Sequence, residues 1–127
     1  MKKILVVDDE ANIAEFLKEF LIDTGKFIVQ IESSGGGAYK AALSFLPDLI
    51  LLDIMMKDMS GDKLAEMIRA DMTLKNTPIV FLTGIVTQDE VNAHNGKIGG
   101  YPYLAKPIMD MRVLLECIEA YAQKNGG

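Results

Sequence analysis

The chain has 127 residues, of which 50% are hydrophobic and 24% charged. That balance suits one packed domain over residues 1–127 and excludes a disordered tail or a collagen-like fibre. The formal net charge of −5 gives no general attraction to nucleic acid or to anionic lipid. A single cysteine, Cys117, and a single histidine, His94, exclude an intramolecular disulfide and a closed zinc site, which wants about four ligands.

Five short apolar runs predict the strands of a sheet. Most of them alternate little between polar and apolar residues, which is typical of strands buried on both faces. In chain order the runs cover residues 4–7, 27–31, 49–52, 79–82 and 101–105. The first run is short and ends in carboxylates, which is untypical of a signal peptide or a membrane span, so we expect a cytoplasmic domain without membrane contact.

Helical periodicity lies between the runs. Apolar residues three and four positions apart predict helices that each bury one face. The groups are Ile13, Phe16, Leu17, Phe20 and Leu21; Ala38, Ala41, Ala42 and Phe45; Leu64, Met67, Ile68 and Met72; and Met111, Leu114, Leu115, Ile118 and Ala122. A further helix over 87–97 has the weakest pattern. We interpret glycines 35–37 as a loop and Asp110 as the N-cap of the last helix.

Strands that alternate with helices predict a single doubly wound α/β domain. Its sheet has five parallel strands and is flanked by five helices. Cys117 is interpreted as helix packing, and Met56, Met67 and Met72 as core or near-core filling.

Polar residues follow the apolar runs at four of the five predicted strand ends. Asp8 and Asp9 close the first run, Asp53 the third, Thr83 the fourth, and Lys106 the fifth. In open α/β sheets the ligand crevice lies outside the carboxyl ends of the strands. If the first, third, fourth and fifth strands are neighbours in that order, these groups meet over one edge of the sheet.

The chemistry of such a cluster is phosphoryl transfer with a divalent cation. Several ionised carboxylates in a small space repel one another, and Mg²⁺, which prefers carboxylate and phosphate oxygens, resolves that repulsion. A carboxylate beside the metal can attack phosphorus and become an aspartyl phosphate. Lys106 supplies positive charge to the phosphoryl oxygens, and the Thr83 hydroxyl with the Gly84 N–H supplies donors.

The chain resembles the receiver domains of two-component response regulators over nearly its whole length. Five motifs in this order carry the resemblance: residues 4–10 (ILVVDDE), 47–53 (PDLILLD), Met56 with Ser60-Gly61, 81–84 (FLTG) and 103–107 (YLAKP). The resemblance implies a flavodoxin-like fold with strand order 2-1-3-4-5. It also implies a phosphoprotein that is no enzyme beyond catalysing its own phosphorylation and dephosphorylation.

The resemblance further implies a role for each matching residue. Asp53 is the phosphoacceptor, and Asp8 and Asp9 hold Mg²⁺ together with Asp53 and the main-chain carbonyl of Met55. Lys106 pairs with the phosphoryl group, and Thr83 and Gly84 bind its oxygens. The bond from Lys106 to Pro107 is cis. Thr83 and Tyr103 form a switch that changes the face made by the fourth helix, fifth strand and fifth helix. Half-buried packing remains the alternative for Tyr103.

The implied partners are a sensor histidine kinase or a phosphotransfer protein, and an output partner or effector domain that the sequence does not identify. Three other functions remain to be weighed. They are a receiver-like docking module that is never phosphorylated, a Mg²⁺-dependent phosphatase of the haloacid-dehalogenase type, and a flavodoxin-like FMN protein. The phosphatase pattern Asp-x-Asp after the first strand is absent, and Asp8 and Asp9 would repel an FMN phosphate.

One departure from the family pattern and two further positions bear on the site. Lys57 stands where a proline is common, which predicts a looser loop after Asp53. Met55 and Ile85 occupy positions that flank the path of hydrolytic water in the family. Both are apolar, so we expect them to exclude water and to make the phosphorylated form long-lived.

Overall fold

The computed structural model describes residues 1–84, 97–98, 101–108 and 110–125. A mainly parallel sheet runs through the middle of the molecule in the order β2-β1-β3-β4-β6-β5. Its strands are β1 (Lys2–Val7), β2 (Phe27–Glu32), β3 (Leu49–Asp53), β4 (Ile79–Thr83), β5 (Lys97–Ile98) and β6 (Tyr101–Ala105). The five longer strands are all parallel, so the predicted order 2-1-3-4-5 is confirmed.

The short strand β5 was not predicted. It pairs antiparallel with the start of β6, through Lys97 opposite Pro102 and Ile98 opposite Tyr101. Two residues carry no periodicity that a sequence pattern could detect. The addition extends the edge of the sheet and leaves the order of the parallel strands unchanged.

Four helices cover the sheet in the part of the chain that the structure describes: α1 (Ala11–Asp23), α2 (Gly35–Phe45), α3 (Gly61–Ala70) and α4 (Met111–Asn125). Residues 87–96 of the helix predicted over 87–97 lie outside the described residues, and Lys97 belongs to β5. The described residues therefore form four helices, where five are predicted. Asp110 caps α4 as predicted, because its Oδ1 accepts a hydrogen bond of 3.0 Å from the Arg112 N–H. No helix among the described residues has both the length and the apolar composition needed to cross a bilayer.

The core is divided by the sheet into two layers. Successive residues of β1 point to opposite faces. Ile4 and Val6 pack with α1 and α4 on one side, while Leu5 and Val7 pack with α2 and α3 on the other. Strands with both faces covered are therefore apolar along their whole length, which explains the continuous runs in the sequence.

Two predictions about the helices facing this core are wrong. Phe16 was placed on the inner face of α1 but is 57% exposed, because Ala14, Leu17 and Leu21 form that face and Phe16 lies about 100° around the helix from Leu17. Met72, predicted to be core or near-core filling, is 81% exposed. Cys117 does pack against the core, as predicted.

The exposure of Met72 follows from where α3 stops. The helix ends at Ala70. Asp71 Oδ1 then accepts hydrogen bonds from the N–H groups of Thr73 and Leu74, at 2.8 and 3.1 Å. That local turn competes with further helix and directs the next residue outward.

The interpretation of glycines 35–37 as a loop is also wrong, because α2 begins at Gly35. Ser34 is the N-cap, and its hydroxyl accepts a hydrogen bond of 3.1 Å from the Gly37 N–H. Glycine has poor helix propensity, so the run disguises the helix start. A capping side chain together with tertiary contacts outweighs that cost of about 1 kcal/mol per glycine.

Candidate functional site

The polar residues at the strand ends meet over one edge of the sheet. The strands β1, β3, β4 and β6 are neighbours in that order. Asp8 follows β1, Asp53 ends β3, Thr83 ends β4 and Lys106 follows β6. Because parallel strands all present their carboxyl ends at the same edge, their spacing of about 4.8 Å brings the four side chains within reach of one another.

Lys106 is the centre of this cluster. Its ammonium Nζ lies 3.1 Å from Asp8 Oδ2, 3.1 Å from Glu10 Oε1 and 3.4 Å from Asp53 Oδ1. The side chains of Lys106, Asp8 and Asp53 are 9%, 0% and 3% exposed. Buried charges persist in a folded protein when they are paired. Here one ammonium compensates two buried carboxylates and a third, exposed one.

Glu10 belongs to the cluster although the sequence reasoning gave it no role in the site. Its carboxylate, with those of Asp8 and Asp53, offers oxygens that lie within 4.8 Å of one another. Glu10 is the N-cap residue of α1 and has extended backbone angles, and its N–H donates to Asp8 Oδ1 at 2.9 Å. In an extended chain, side chains two residues apart point to the same side. The triplet Asp8-Asp9-Glu10 therefore did contain a signal that Glu10 lies on the side of Asp8.

Asp9 points elsewhere. Its Oδ2 accepts a hydrogen bond of 3.0 Å from the Lys57 N–H in the loop after β3. A proline at position 57 has no N–H and could not make this bond. The departure at Lys57, expected to loosen the loop, instead supplies it with a tether.

Burial shifts the acid–base behaviour of Asp53. Burial first, and then the charge of Asp8, raise the pKa of Asp53 from 3.8 to about 6, although the Met55 N–H and Lys106 act in the opposite direction. For Lys106, burial alone lowers the pKa, but the carboxylates of Glu10, Asp8 and Asp53 outweigh burial and raise it. The lysine is therefore charged at neutral pH.

Hydrogen bonds hold the backbone around Asp53 and Thr83. The Met55 N–H donates to Asp53 Oδ1 at 3.2 Å, and the Lys106 N–H donates to the Thr83 carbonyl at 2.8 Å. Thr83 is 2% exposed, whereas Gly84 is exposed at the surface. The Lys106–Pro107 bond is cis, as the resemblance implied.

Tyr103 is half-buried beside the site. Its ring packs against Phe81 with centroids 5.1 Å apart. Burial, followed by the charges of Asp62 and Tyr101, raises the pKa of Tyr103, so its hydroxyl stays protonated at neutral pH. Met55, one of the two residues expected to exclude water, is 63% exposed; the other, Ile85, lies outside the described residues.

The donor set fits a hard divalent cation. Three carboxylates face one ammonium, which leaves an excess of negative charge when all are ionised. Their oxygens are close enough to share one ion, and all-oxygen donors are the kind that Mg²⁺ prefers. Asp8 and Asp53 are buried and Glu10 is exposed, so the cluster also opens to solvent on one side.

The fold is that of a signalling receiver domain. The family model for the response regulator receiver domain matches residues 4–119, and the chain belongs to that family. Receiver domains are signalling domains and not classical enzymes.

Comparisons with individual proteins support the assignment to this family. The chain is 36% identical over 125 residues to the response regulator ArlR of Staphylococcus saprophyticus, covering 98% of this chain and 54% of that protein. It is 34% identical to the transcriptional regulatory protein CusR of Escherichia coli, covering 83% and 44%. This chain spans about half the length of the curated relatives it matches.

Solved structures share the fold. A two-component response regulator from Clostridium difficile superposes with a TM-score of 0.78 at 30% identity, covering 97% of both chains. A chemotaxis protein of Vibrio cholerae gives 0.79 at 26% identity, covering 95% of this chain and 98% of that one.

Proposed function

We propose that this domain is a phosphorylation-dependent switch that accepts a phosphoryl group on Asp53. The single observation that supports this most is the buried Asp53 carboxylate with the Lys106 ammonium 3.4 Å from its Oδ1. A buried carboxylate whose pKa is raised and which lies beside a specific charged partner is typical of functional sites. Its place at the carboxyl ends of parallel strands is where α/β domains bind ligands.

The phosphoryl donor in this proposal is a phosphohistidine of a sensor histidine kinase or of a phosphotransfer protein. An Asp53 oxygen forms the new O–P bond as the P–N bond breaks, and the leaving imidazole keeps the electron pair and takes a proton from solvent. Lys106 donates to the phosphoryl oxygens and balances their charge. The Thr83 hydroxyl and the Gly84 N–H are the proposed neutral donors.

Mg²⁺ is the proposed cofactor. Asp8, Asp9, Asp53 and the main-chain carbonyl of Met55 are the ligands that the family resemblance assigns, and the cluster geometry favours Glu10 as a further candidate. The ion would neutralise charge between the carboxylates and the incoming phosphoryl oxygens. Lys106 Nζ lies 3.1 Å from a carboxylate oxygen of Asp8 and of Glu10. Its positive charge therefore balances part of the negative charge of these carboxylates when no ion is bound.

The output of the switch is proposed to reach a partner or an effector domain outside these residues. Relatives that are about twice as long carry names of transcriptional regulators. With a net charge of −5, this domain itself is not proposed to bind nucleic acid. Thr83 and Tyr103 are the proposed switch pair, and the cytoplasm is the proposed location.

Intact mass spectrometry tests the proposal. The protein is incubated with acetyl phosphate and Mg²⁺, with Asp53→Asn and a chelator as controls. We expect a gain of one phosphoryl group that both controls abolish. A folded protein that gains no mass, or an Asp53→Asn variant that gains the same mass, contradicts the proposal.

A further inference from the structure

The loop that follows Asp53, residues 54–60, has a rigid base. The Ile54 N–H donates to the Leu82 carbonyl at 3.0 Å, and the Gly61 N–H donates to the Ile54 carbonyl at 2.8 Å. At position 61 a Cβ would lie 2.5 Å from the Asp53 carbonyl oxygen, so only glycine fits there. The two ends of the loop are therefore locked to each other and to the sheet.

The far side of the loop is attached to another helix through Asp58. Both oxygens of its carboxylate lie within hydrogen-bond distance of the Gly35 N–H, at 3.1 and 3.0 Å, and Oδ2 lies 3.4 Å from the Gly36 N–H. These are the first amides of α2, which have no acceptor within the helix. The Gly35 N–H above all, and the Gly36 N–H, lower the pKa of this exposed carboxyl group, so the bridge is ionic at neutral pH.

Packing strengthens the same attachment. A Cβ on residue 35 would lie 2.9 Å from both Cβ and Sδ of Met59, so the loop presses directly on the helix start. Glycine at position 35 thus has a physical reason: it leaves room for the Met59 side chain against the start of α2.

We propose that Asp58 is a positioning residue for Asp53. Asp58 ties the loop to α2, and the loop carries Met55, whose N–H donates to Asp53 Oδ1 at 3.2 Å. With the loop held, that N–H stays on one oxygen and sets the orientation of the carboxylate. The effect on phosphorylation rests on the proposed function of Asp53, whereas the effect on the loop does not.

A second tether limits how much the loss of Asp58 can cost. The Lys57 N–H still donates to Asp9 Oδ2 at 3.0 Å. The loop therefore loosens without detaching. A misplacement of 1 Å can cost about a hundredfold in rate, so we expect a smaller loss of about tenfold here.

The test compares Asp58→Ala and Asp58→Asn with Asp71→Ala as the matched control. Asp71 likewise accepts from two amides and also from the Tyr39 hydroxyl, but it follows the opposite end of α3. Its loss weakens the fold without touching the loop. Asp58→Asn retains one acceptor oxygen and serves as the conservative rescue.

Two readouts are taken on each protein: hydrogen exchange of the Met55 and Lys57 amides by NMR, and the rate of labelling by acetyl phosphate with Mg²⁺. Asp58→Ala is expected to speed exchange at both amides and to slow labelling about tenfold, with Asn restoring most of both. Asp71→Ala should lower the urea midpoint and leave both readouts at wild-type values.

Equal exchange at the loop amides in Asp58→Ala and Asp71→Ala overturns the assignment of Asp58. Faster exchange with unchanged labelling overturns its link to the reactivity of Asp53. A wild-type protein that is not labelled at all refutes the proposed function instead, and the exchange comparison then decides the role of Asp58 alone.

Discussion

The charge on Asp53 works against the stability of the folded chain. Burial and the neighbouring Asp8 raise the pKa of Asp53 from 3.8 to about 6. An acid with a raised pKa binds more protons in the folded state than in the unfolded state, so stability falls as pH rises between the two values. The two pKa values differ by about two, and each pKa unit corresponds to about 1.4 kcal/mol. Above pH 6 the charge on Asp53 therefore lowers the free energy of unfolding by about 3 kcal/mol.

Asp53→Asn removes this charge and keeps the size of the side chain. We expect its free energy of unfolding, in the presence of a chelator, to exceed that of the wild type by up to about 3 kcal/mol at neutral pH. The advantage should shrink as pH falls through 6 and vanish below 3.8, where the wild-type carboxyl is protonated in both states. Urea unfolding curves at a series of pH values measure it directly.

Asp71→Asn serves as a control for which the expected change in stability has the opposite sign. The Tyr39 hydroxyl, more than the backbone amides, lowers the pKa of Asp71. The Asp71 carboxylate therefore stabilises the fold above its unfolded pKa, and this contribution is lost as pH falls through the folded value. The reasoning is refuted if Asp53→Asn is no more stable than the wild type at neutral pH. It is also refuted if the stability difference between the two proteins is as large at low pH as at neutral pH.

Three further predictions concern other parts of the same structure. Lys106→Met leaves the buried Asp8 and Asp53 without their partner, and urea unfolding at neutral pH should show a loss of about 3–5 kcal/mol; an unchanged midpoint contradicts the pairing. Gly61→Ala drives a Cβ to 2.5 Å from a carbonyl oxygen, whereas at position 36 a Cβ meets nothing within 4 Å. Gly61→Ala should cost about 1–3 kcal/mol, whereas Gly36→Ala, in the first turn of α2, should raise stability by up to about 1 kcal/mol; equal midpoints refute the clash. Burial raises the pKa of Cys117 from 9.0 to about 11, so iodoacetamide should alkylate the folded protein about a hundredfold more slowly at mildly alkaline pH than the urea-unfolded chain; equal rates contradict that burial.

The sheet and the strand-end residues could be predicted because both depend on local patterns. Buried parallel strands must be apolar on both faces, so each run in the sequence marks a strand and the polar residue after it marks the carboxyl edge. The order of the strands depends on contacts far apart in sequence, and only the family resemblance supplied it. Once that order is assumed, the sequence predicts that four described residues lie at one edge of the sheet: Asp8, Asp53, Thr83 and Lys106.

The features that the sequence pattern missed depend on tertiary contacts made by single side chains or single amides. Glu10 joins the cluster because the extended backbone at the helix N-cap turns its side chain to the side of Asp8. Gly35 starts a helix because Ser34 caps that helix from within the chain and Asp58 bonds to its first amides from another loop. Neither effect appears in propensity or periodicity, which describe a segment without its neighbours.

Lys106 and Asp53 link the site to three separate elements. Nζ of Lys106 pairs with Glu10 at the start of α1 and with Asp8 after β1. The loop after Asp53 reaches α2 through Asp58. If a phosphoryl group is added to Asp53, Lys106 gains a stronger anionic partner and its bonds to Glu10 and Asp8 must weaken. The same event alters the oxygen that the Met55 N–H holds. If Asp53 is phosphorylated, we therefore expect the change to reach α1 through the charge of Lys106 and α2 through the backbone of the loop, by contacts that the unmodified domain already has.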